Sequence, residues 1–86
     1  MPYELTKLLS QTIKREIDKK ITGKATVNII SDLLIVDIIP RDLKECIFRC
    51  TFNHIDSDIQ QGVTSTDYVN AVLTKYKHKI YKRYFK

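Results

Sequence analysis

The clearest pattern along the chain is a pair of apolar segments, residues 25–30 and 33–39, that are rich in β-branched side chains. Between them lies the polar pair Ser31-Asp32, which suits a two-residue turn, so the pattern predicts an antiparallel hairpin. Alternation of side chains then places three facing pairs on one face of the sheet: Ile29 with Leu34, Val27 with Val36 and Ala25 with Ile38.

A third strand is predicted over residues 46–53, where apolar and other side chains alternate. The face expected in the core carries Cys46, Phe48, Cys50 and Phe52. The other face carries Ile47, Arg49, Thr51 and Asn53. Two cysteines four residues apart on one strand face are too distant to form a disulfide. We therefore expect both to be buried free thiols in a reducing compartment.

Two helices are predicted from apolar residues that recur at intervals of three and four. The first covers residues 3–21, is capped by Gly23, and has the apolar stripe Leu5, Leu8, Leu9, Ile13, Ile17 and Ile21. The second covers residues 65–84 and begins with a near capping box of Thr64 and Asp67. Its apolar stripe is Tyr68, Val69, Val72, Leu73, Tyr76, Ile80 and Tyr84. Residues 54–63 are expected to form a loop or a short helical turn.

These elements predict one α+β domain over residues 1–86: a three-stranded antiparallel sheet flanked by an N-terminal and a C-terminal helix. The simplest packing puts both helices on the Val27, Val36 and Phe48 face. The opposite face then has aliphatic residues that no remaining element covers: Ile30, Leu33, Ile35, Ile39 and Ile47. Asp37 and Arg49 lie on that face and are placed to pair across adjacent strands.

Those five aliphatic residues are the predicted interface, because a monomer rarely exposes an apolar patch of several hundred Å². A homodimer or a partner protein would bury them. The alternative is that one helix crosses to this face, or that the stems of Lys and Arg side chains cover it.

Charge is distributed unevenly along the chain. Up to Asp67 there are 9 basic and 10 acidic residues, and from Tyr68 onward there are 6 basic residues and no acidic one. Basic and aromatic side chains on one element suit nucleic acid, since cations neutralise phosphates and rings stack on bases. The predicted nucleic-acid-binding residues are five cations on one flank of the last helix, with Tyr81 packed beside them: Lys75, Lys79, Lys82, Arg83 and Lys86. The alternatives are a solvated helix end, or binding to an acidic protein surface or a membrane.

Other function classes have little support in the sequence. His54, Asp56 and Asp58 could perform acid–base chemistry, but polar residues clustered in a loop more often form turns. There is no glycine-rich phosphate loop, nucleophile elbow or metal-ligand spacing. We expect no enzyme activity, cofactor, metal or small-molecule substrate. No apolar run approaches the roughly 20 residues that span a bilayer, so we expect a cytoplasmic protein without a membrane partner.

Two resemblances add to this interpretation. The order helix, three strands, helix resembles that of the double-stranded RNA-binding domain, although residues 64–69 lack the lysines that begin its last helix. The ending, from Thr64-Ser65-Thr66-Asp67-Tyr68 through Tyr76-Lys77 to residues 80–86, resembles that of small phage and prophage proteins of Gram-positive bacteria. This second resemblance implies an accessory or regulatory protein made in the bacterial host.

The sequence thus predicts a small non-enzymatic binding or regulatory protein that binds nucleic acid through its basic last helix. The alternative is a protein-interaction module, either a homodimer or a regulator of a host or phage protein, that uses the aliphatic sheet face. The two alternatives differ in whether the cations of residues 75–86 converge on one surface.

Overall fold

A computed structural model describes residues 1–79 and 81–86, and it contains a three-stranded antiparallel sheet with helices before and after it in the chain. The predicted α+β layout is confirmed. The elements in chain order are α1 (Tyr3–Asp18), β1 (Gly23–Ile30), β2 (Leu33–Pro40), β3 (Phe48–Phe52), α2 (Ile55–Gln60), α3 (Ser65–His78) and a 3-10 turn (Lys82–Tyr84).

The hairpin of β1 and β2 has the predicted register, with Val27 opposite Val36. Ser31 takes the left-handed conformation, φ 55°, that tight hairpin turns need. Asp32 ties this turn to the start of α2, because its carboxylate accepts a hydrogen bond from the Asp56 N–H at 2.7 Å. Its carbonyl accepts a second from the Ile55 N–H at 3.2 Å. Asp32 therefore takes the capping role that the His54 side chain does not fill.

The core lies between one face of the sheet and the helices. Strand β2 is central in the order β1-β2-β3, and its alternate residues Leu34, Val36 and Ile38 are fully buried. The buried helix residues packed with them include Ile13, Ile17, Val69, Val72 and Tyr76. Most of the predicted core is thus confirmed, although Leu9, Phe52 and Leu73 are only partly buried. The capping box of Thr64 and Asp67 is also present.

The predicted alternation fails just before β3. Strand β3 begins at Phe48, and the preceding connection contains Lys44 in a left-handed conformation, φ 57°. Because this segment is not extended, the two residues before the strand exchange faces. Ile47 packs against the core, and Cys46 is exposed, whereas Cys50 is buried as predicted. The assignments of Ile47 to the open face and of Cys46 to the core were therefore wrong.

The last helix ends at His78, six residues earlier than predicted. Residues 81–86 turn back onto the connection between α1 and β1. There, Phe85 forms a β-bridge with Ile21, and the Thr22 N–H donates to the Tyr84 carbonyl at 2.6 Å. Tyr84 is only 6% exposed. A continuous helix would carry Tyr84 away from these partners, so tertiary packing ends it. Ile80, assigned to the apolar stripe, lies outside the described residues.

The first helix also ends early, at Asp18, and Gly23 is the first residue of β1 instead of a helix cap. Gly23 has a φ of 149°, and a Cβ there would collide with the Ile39 carbonyl.

The end of α1 protects the free edge of β1. The Asp18 carboxylate accepts from the Ala25 N–H at 2.7 Å, and the Lys14 ammonium donates to the Ala25 carbonyl at 2.8 Å.

The predicted apolar stripe of α1 divides into two parts. Ile13 and Ile17 are buried against the sheet, but Leu5 is 54% exposed and Leu8 is 60% exposed. At about 100° per residue, Leu8 lies about 180° from Ile17 around the helix. A stripe this wide exceeds the surface that the sheet can cover, so its outer leucines remain in solvent.

The ring of Phe48 is 8% exposed and makes an edge-to-face contact with Tyr76, with the ring centroids 5.2 Å apart. We predict that Phe48→Ala lowers the free energy of unfolding by about 3–5 kcal/mol, because it leaves a cavity in a small core. Urea denaturation of both proteins measures this difference. A loss below about 1 kcal/mol would contradict the assigned faces of β3.

The hydroxyl of Tyr76 is buried and has no hydrogen-bond partner among the described residues, and burial raises the pKa of Tyr76 to about 12. We predict that Tyr76→Phe raises the free energy of unfolding by about 1 kcal/mol, since it removes an unsatisfied polar group. Tyr68→Phe is the matched control. The Tyr68 hydroxyl donates to the Asp58 carboxylate at 3.3 Å, so its removal should destabilise the fold by about 1 kcal/mol. Changes of the same sign in the two variants would contradict this assignment.

Candidate nucleic-acid interface

Because the strands are antiparallel, each chain connection lies at one of the two ends of the sheet. At one end the connection from α1 to β1, the connection from β2 to β3 and the C-terminal segment meet. Backbone hydrogen bonds join them: the Arg41 N–H donates to the Thr22 carbonyl at 3.1 Å, and the Lys86 N–H donates to the Lys20 carbonyl at 3.0 Å. We call residues 19–24, 41–47, 77–79 and 81–86 the basic end.

The basic end has ten lysines and arginines against two carboxylates, those of Asp42 and Glu45. All ten cationic residues are exposed: Lys19, Lys20, Lys24, Arg41, Lys44, Lys77, Lys79, Lys82, Arg83 and Lys86. Within the described part of the chain, only Lys19 of these ten lies within 4.0 Å of a carboxylate, that of Glu16 at 3.3 Å. Nine exposed cations at this end therefore have no carboxylate partner among the described residues, and of these the Lys86 ammonium donates to the Asp18 backbone carbonyl at 3.1 Å.

Two neighbouring depressions give the basic end a concave surface. The first, of about 420 Å³, is lined by Lys24, Arg41 and Lys44 together with Gly23, Ile39 and Pro40. The second, of about 290 Å³, is lined by Arg41 and Arg83 with Thr22, Asp42 and Tyr84. Arg41 borders both. The Arg83 guanidinium stacks on the Tyr84 ring at 4.7 Å and donates to its hydroxyl, which fixes its position.

The six predicted nucleic-acid-binding residues do not share one helical flank. Lys75 and Lys79 line a groove of about 520 Å³ between β3 and α3. Arg83 borders the depression beside Arg41, whereas Lys86 borders another depression along α1. Lys82 is exposed on the 3-10 turn. Because α3 stops at His78, the cations that follow it are distributed around the end of the domain.

Tyr81, predicted to pack beside phosphates, instead packs against the core. Its ring stacks on that of Tyr76 with the centroids 5.2 Å apart, and Phe85 contacts the same ring at 5.4 Å. Both residues are partly buried. These aromatic side chains attach the C-terminal segment to the domain and leave its cations exposed.

Sequence reasoning missed the cations that the other connections contribute, Lys20, Lys24, Arg41 and Lys44. They are scattered along the chain, and the linear charge count placed the whole positive excess after Tyr68. The predicted topology could have located these cations. Helices and strands of similar length that alternate in direction bring the connections carrying them to one end of the sheet.

The opposite end of the sheet is acidic. It comprises residues 1–6, 31–32 and 53–67, which contain no lysine or arginine and five carboxylates: Glu4, Asp32, Asp56, Asp58 and Asp67. His54, Asp56 and Asp58, the candidate acid–base group, lie here with separate partners. His54 lies 3.8 Å from Asp32, Asp56 lies 3.6 Å from the N-terminal amine, and Asp58 accepts from Tyr68.

The sheet face opposite the helices keeps four of the five predicted interface residues: Ile30, Leu33, Ile35 and Ile39. Ile30 is 63% exposed and lies directly opposite Leu33, whereas Ile35 and Ile39 are partly exposed along β2. Arg49 and Asp37 form the predicted cross-strand pair, with two hydrogen bonds of 2.7 and 2.9 Å. The hydrogen bond from Arg49 is the main cause that lowers the pKa of Asp37.

In comparisons with known proteins, no family model, curated sequence or solved structure matches this chain. Across residues 1–79 and 81–86, no group of three or more His, Cys, Asp or Glu side chains is arranged to hold a metal ion. No helix in the described residues has the length and apolar character needed to cross a membrane.

Proposed function

We propose that this protein is a non-enzymatic binding module whose basic end binds the phosphate backbone of nucleic acid. The observation that carries the proposal is that nine exposed cations at one end of the domain have no carboxylate within 4.0 Å among residues 1–79 and 81–86. Four of them line two neighbouring depressions that share Arg41. A polyanion gains from such a surface by releasing its condensed counterions, and this gain does not depend on base sequence.

The proposed contacts come from side chains and not from a helix terminus. The C-terminal end of α3 points to the basic end, and a helix C-terminus carries partial negative charge, which repels phosphate. The lysines and arginines around it must supply the attraction. Because the rings of Tyr81 and Phe85 pack against Tyr76 and are partly buried, base stacking contributes little. We therefore expect binding with slight sequence preference.

The biological setting is also part of the proposal. The Tyr- and Lys-rich ending supports an accessory or regulatory protein of a phage or prophage, acting in the cytoplasm of the bacterial host. In that setting, a module that recognises phosphate backbone without reading bases would act on DNA or RNA of any sequence.

A second candidate function is self-association or binding of a partner protein through Ile30, Leu33, Ile35 and Ile39. The observation that favours it is the row of exposed and partly exposed aliphatic side chains on the sheet face that the helices leave open. Association would remove this apolar surface from water. The ion pair of Asp37 and Arg49 within the row would lie inside such an interface.

The nucleic-acid proposal is tested by a salt titration of binding to short duplex and single-stranded oligonucleotides. If about 3–5 phosphates are contacted, log K should fall with log salt with a slope of about −3 to −4 on duplex DNA. Lys24→Glu/Lys82→Glu reverses two exposed cations of the basic end. It should weaken binding at least about tenfold at low salt and make the slope shallower by about 2.

The matched control is Lys7→Glu/Lys75→Glu, which makes the same change in net charge away from the basic end. Lys7 and Lys75 are both exposed. The Lys75 ammonium lies 5.4 Å from the centroid of the partly buried Phe52 ring, so thermal melts must show that this control remains folded. We expect this control to weaken binding far less. Absence of binding at low salt, or equal losses in the two double variants, would contradict a basic-end interface.

The second candidate predicts that the wild-type protein forms a dimer in sedimentation velocity at high concentration. Ile35→Lys should disperse it, because a buried unpaired charge is costly, while circular dichroism shows an intact fold. Gln60→Lys adds the same charge at an exposed position on α2 and should leave the dimer unchanged. A wild-type monomer at all concentrations would exclude self-association through this face.

A further inference from the structure

The acidic end contains an apolar groove that neither the core nor the proposed nucleic-acid interface uses. It lies between the first turns of α1 and the corner where α2 leads into α3, and has a volume of about 280 Å³. Its apolar lining includes Leu5, Leu8 and Leu9 from α1 and Ile59 and Val63 from the corner. We call these five residues the acidic-end groove.

The groove brings together apolar side chains that are exposed to solvent. Leu5 is 54% exposed and Leu8 is 60% exposed, while Leu9, Ile59 and Val63 are partly exposed beside them. Leucines on the outside of a helix are ordinary when they are isolated, but here they line one depression with two further aliphatic side chains. Solvent-exposed apolar side chains that share one concave surface are candidates for binding a partner.

The rim of the groove is negatively charged. Glu4 lies one helical turn before Leu8, Asp56 and Asp58 precede Ile59 on α2, and Asp67 lies in the first turn of α3. The N-terminal ammonium lies 3.6 Å from the Asp56 carboxylate and offsets part of this negative charge. The other three rim carboxylates have no cation within 4.0 Å among the described residues, and Lys7 lies about 160° from Leu5 around α1. A ligand must therefore combine apolar side chains with positive charge.

The walls of the groove favour a helical ligand. They are formed mainly by side chains of α1 and of the α2–α3 corner, and no strand borders the groove, so an extended peptide would find no free strand edge to bind. A helix satisfies its own backbone hydrogen bonds and can place apolar side chains at i, i+3 or i+4, and i+7 between α1 and the corner.

We propose that the acidic-end groove binds a basic amphipathic helix of a partner protein. This inference is independent of the proposed nucleic-acid function, because it uses the other end of the domain. A second copy related by a two-fold axis is a poorer occupant, since it would bring its own rim carboxylates against those of the first. Bound at this groove, a partner would leave the basic end free.

The test uses fluorescence anisotropy with a labelled leucine–lysine peptide about five turns long, patterned with leucines along one helical face. A control peptide of the same composition, patterned to alternate leucine and lysine, separates helical fit from charge attraction. We expect the helical peptide to bind saturably to the wild-type protein and the alternating peptide to bind about tenfold more weakly or not at all.

Leu5→Ser/Leu8→Ser should weaken binding of the helical peptide at least about tenfold. The matched control is Tyr3→Ser/Leu43→Ser, which removes two other exposed apolar side chains outside the groove. It should bind like the wild type. All four residues are at least partly exposed, and thermal melts verify that both variants remain folded. Glu4→Gln/Asp56→Asn should weaken binding at low salt, and the difference should close at high salt.

Each of several outcomes would overturn the proposal. These are no saturable binding of the helical peptide, equal binding of the two peptides, or equal losses in the two serine variants. Wild-type self-association that Leu5→Ser/Leu8→Ser abolishes would assign the groove to a second copy. Leucine-dependent binding to neutral phosphatidylcholine vesicles, without binding to the peptide, would assign it to a lipid surface.

Discussion

The complete burial of alternate side chains on the central strand β2 is the constraint on which the rest of the fold depends. Leu34, Val36 and Ile38 have no exposed surface, and a shift of one residue in the register would move all three to the open face. Both helices must then cover the same side of the sheet, which leaves the other side open. The hairpin turn at Ser31 and Asp32 and the ion pair of Asp37 and Arg49 are compatible only with this register.

The same constraint fixes where the chain connections lie. Helices and strands pass back and forth across one thin sheet, so every connection must lie at one of its two ends. Charge that is dispersed along the sequence thereby becomes segregated in space. Ten cations lie at the end that contains the α1–β1 and β2–β3 connections and the C-terminal segment. Five carboxylates lie at the other end, around the hairpin turn, α2 and the first turns of α1 and α3.

Local patterns predicted the parts of the structure that local physics decides. Alternation of side chains along the strands predicted the hairpin register. The helical repeat of 3.6 residues predicted that Ile13, Ile17, Val69 and Val72 are buried. The spacing of Thr64 and Asp67 predicted the capping box. In each case, the backbone geometry alone determines which side chains are neighbours.

The errors occurred where distant contacts override a local pattern. No local pattern near Ile47 predicts that the connection before β3 bends. Because of this bend, Ile47 faces the core and Cys46 faces solvent. The helical pattern of apolar residues continues past His78, but the helix ends there. Tyr84 and Phe85 instead pack beside Ile21 and Tyr76, and this burial stabilises the chain more than another helical turn would. The basic end is likewise a tertiary feature, so a charge count along the chain found only part of it.

The separation of the two charged ends makes the molecule an electric dipole, which its formal net charge of +5 does not describe. In the field of a polyanion, a dipole experiences a torque before any contact forms. The domain would therefore rotate during its approach, with Lys24, Arg41 and Arg83 leading and Asp56 trailing. A larger fraction of encounters would then begin in one orientation, so the layout of the loops would act on the rate of association with a polyanion as well as on its strength.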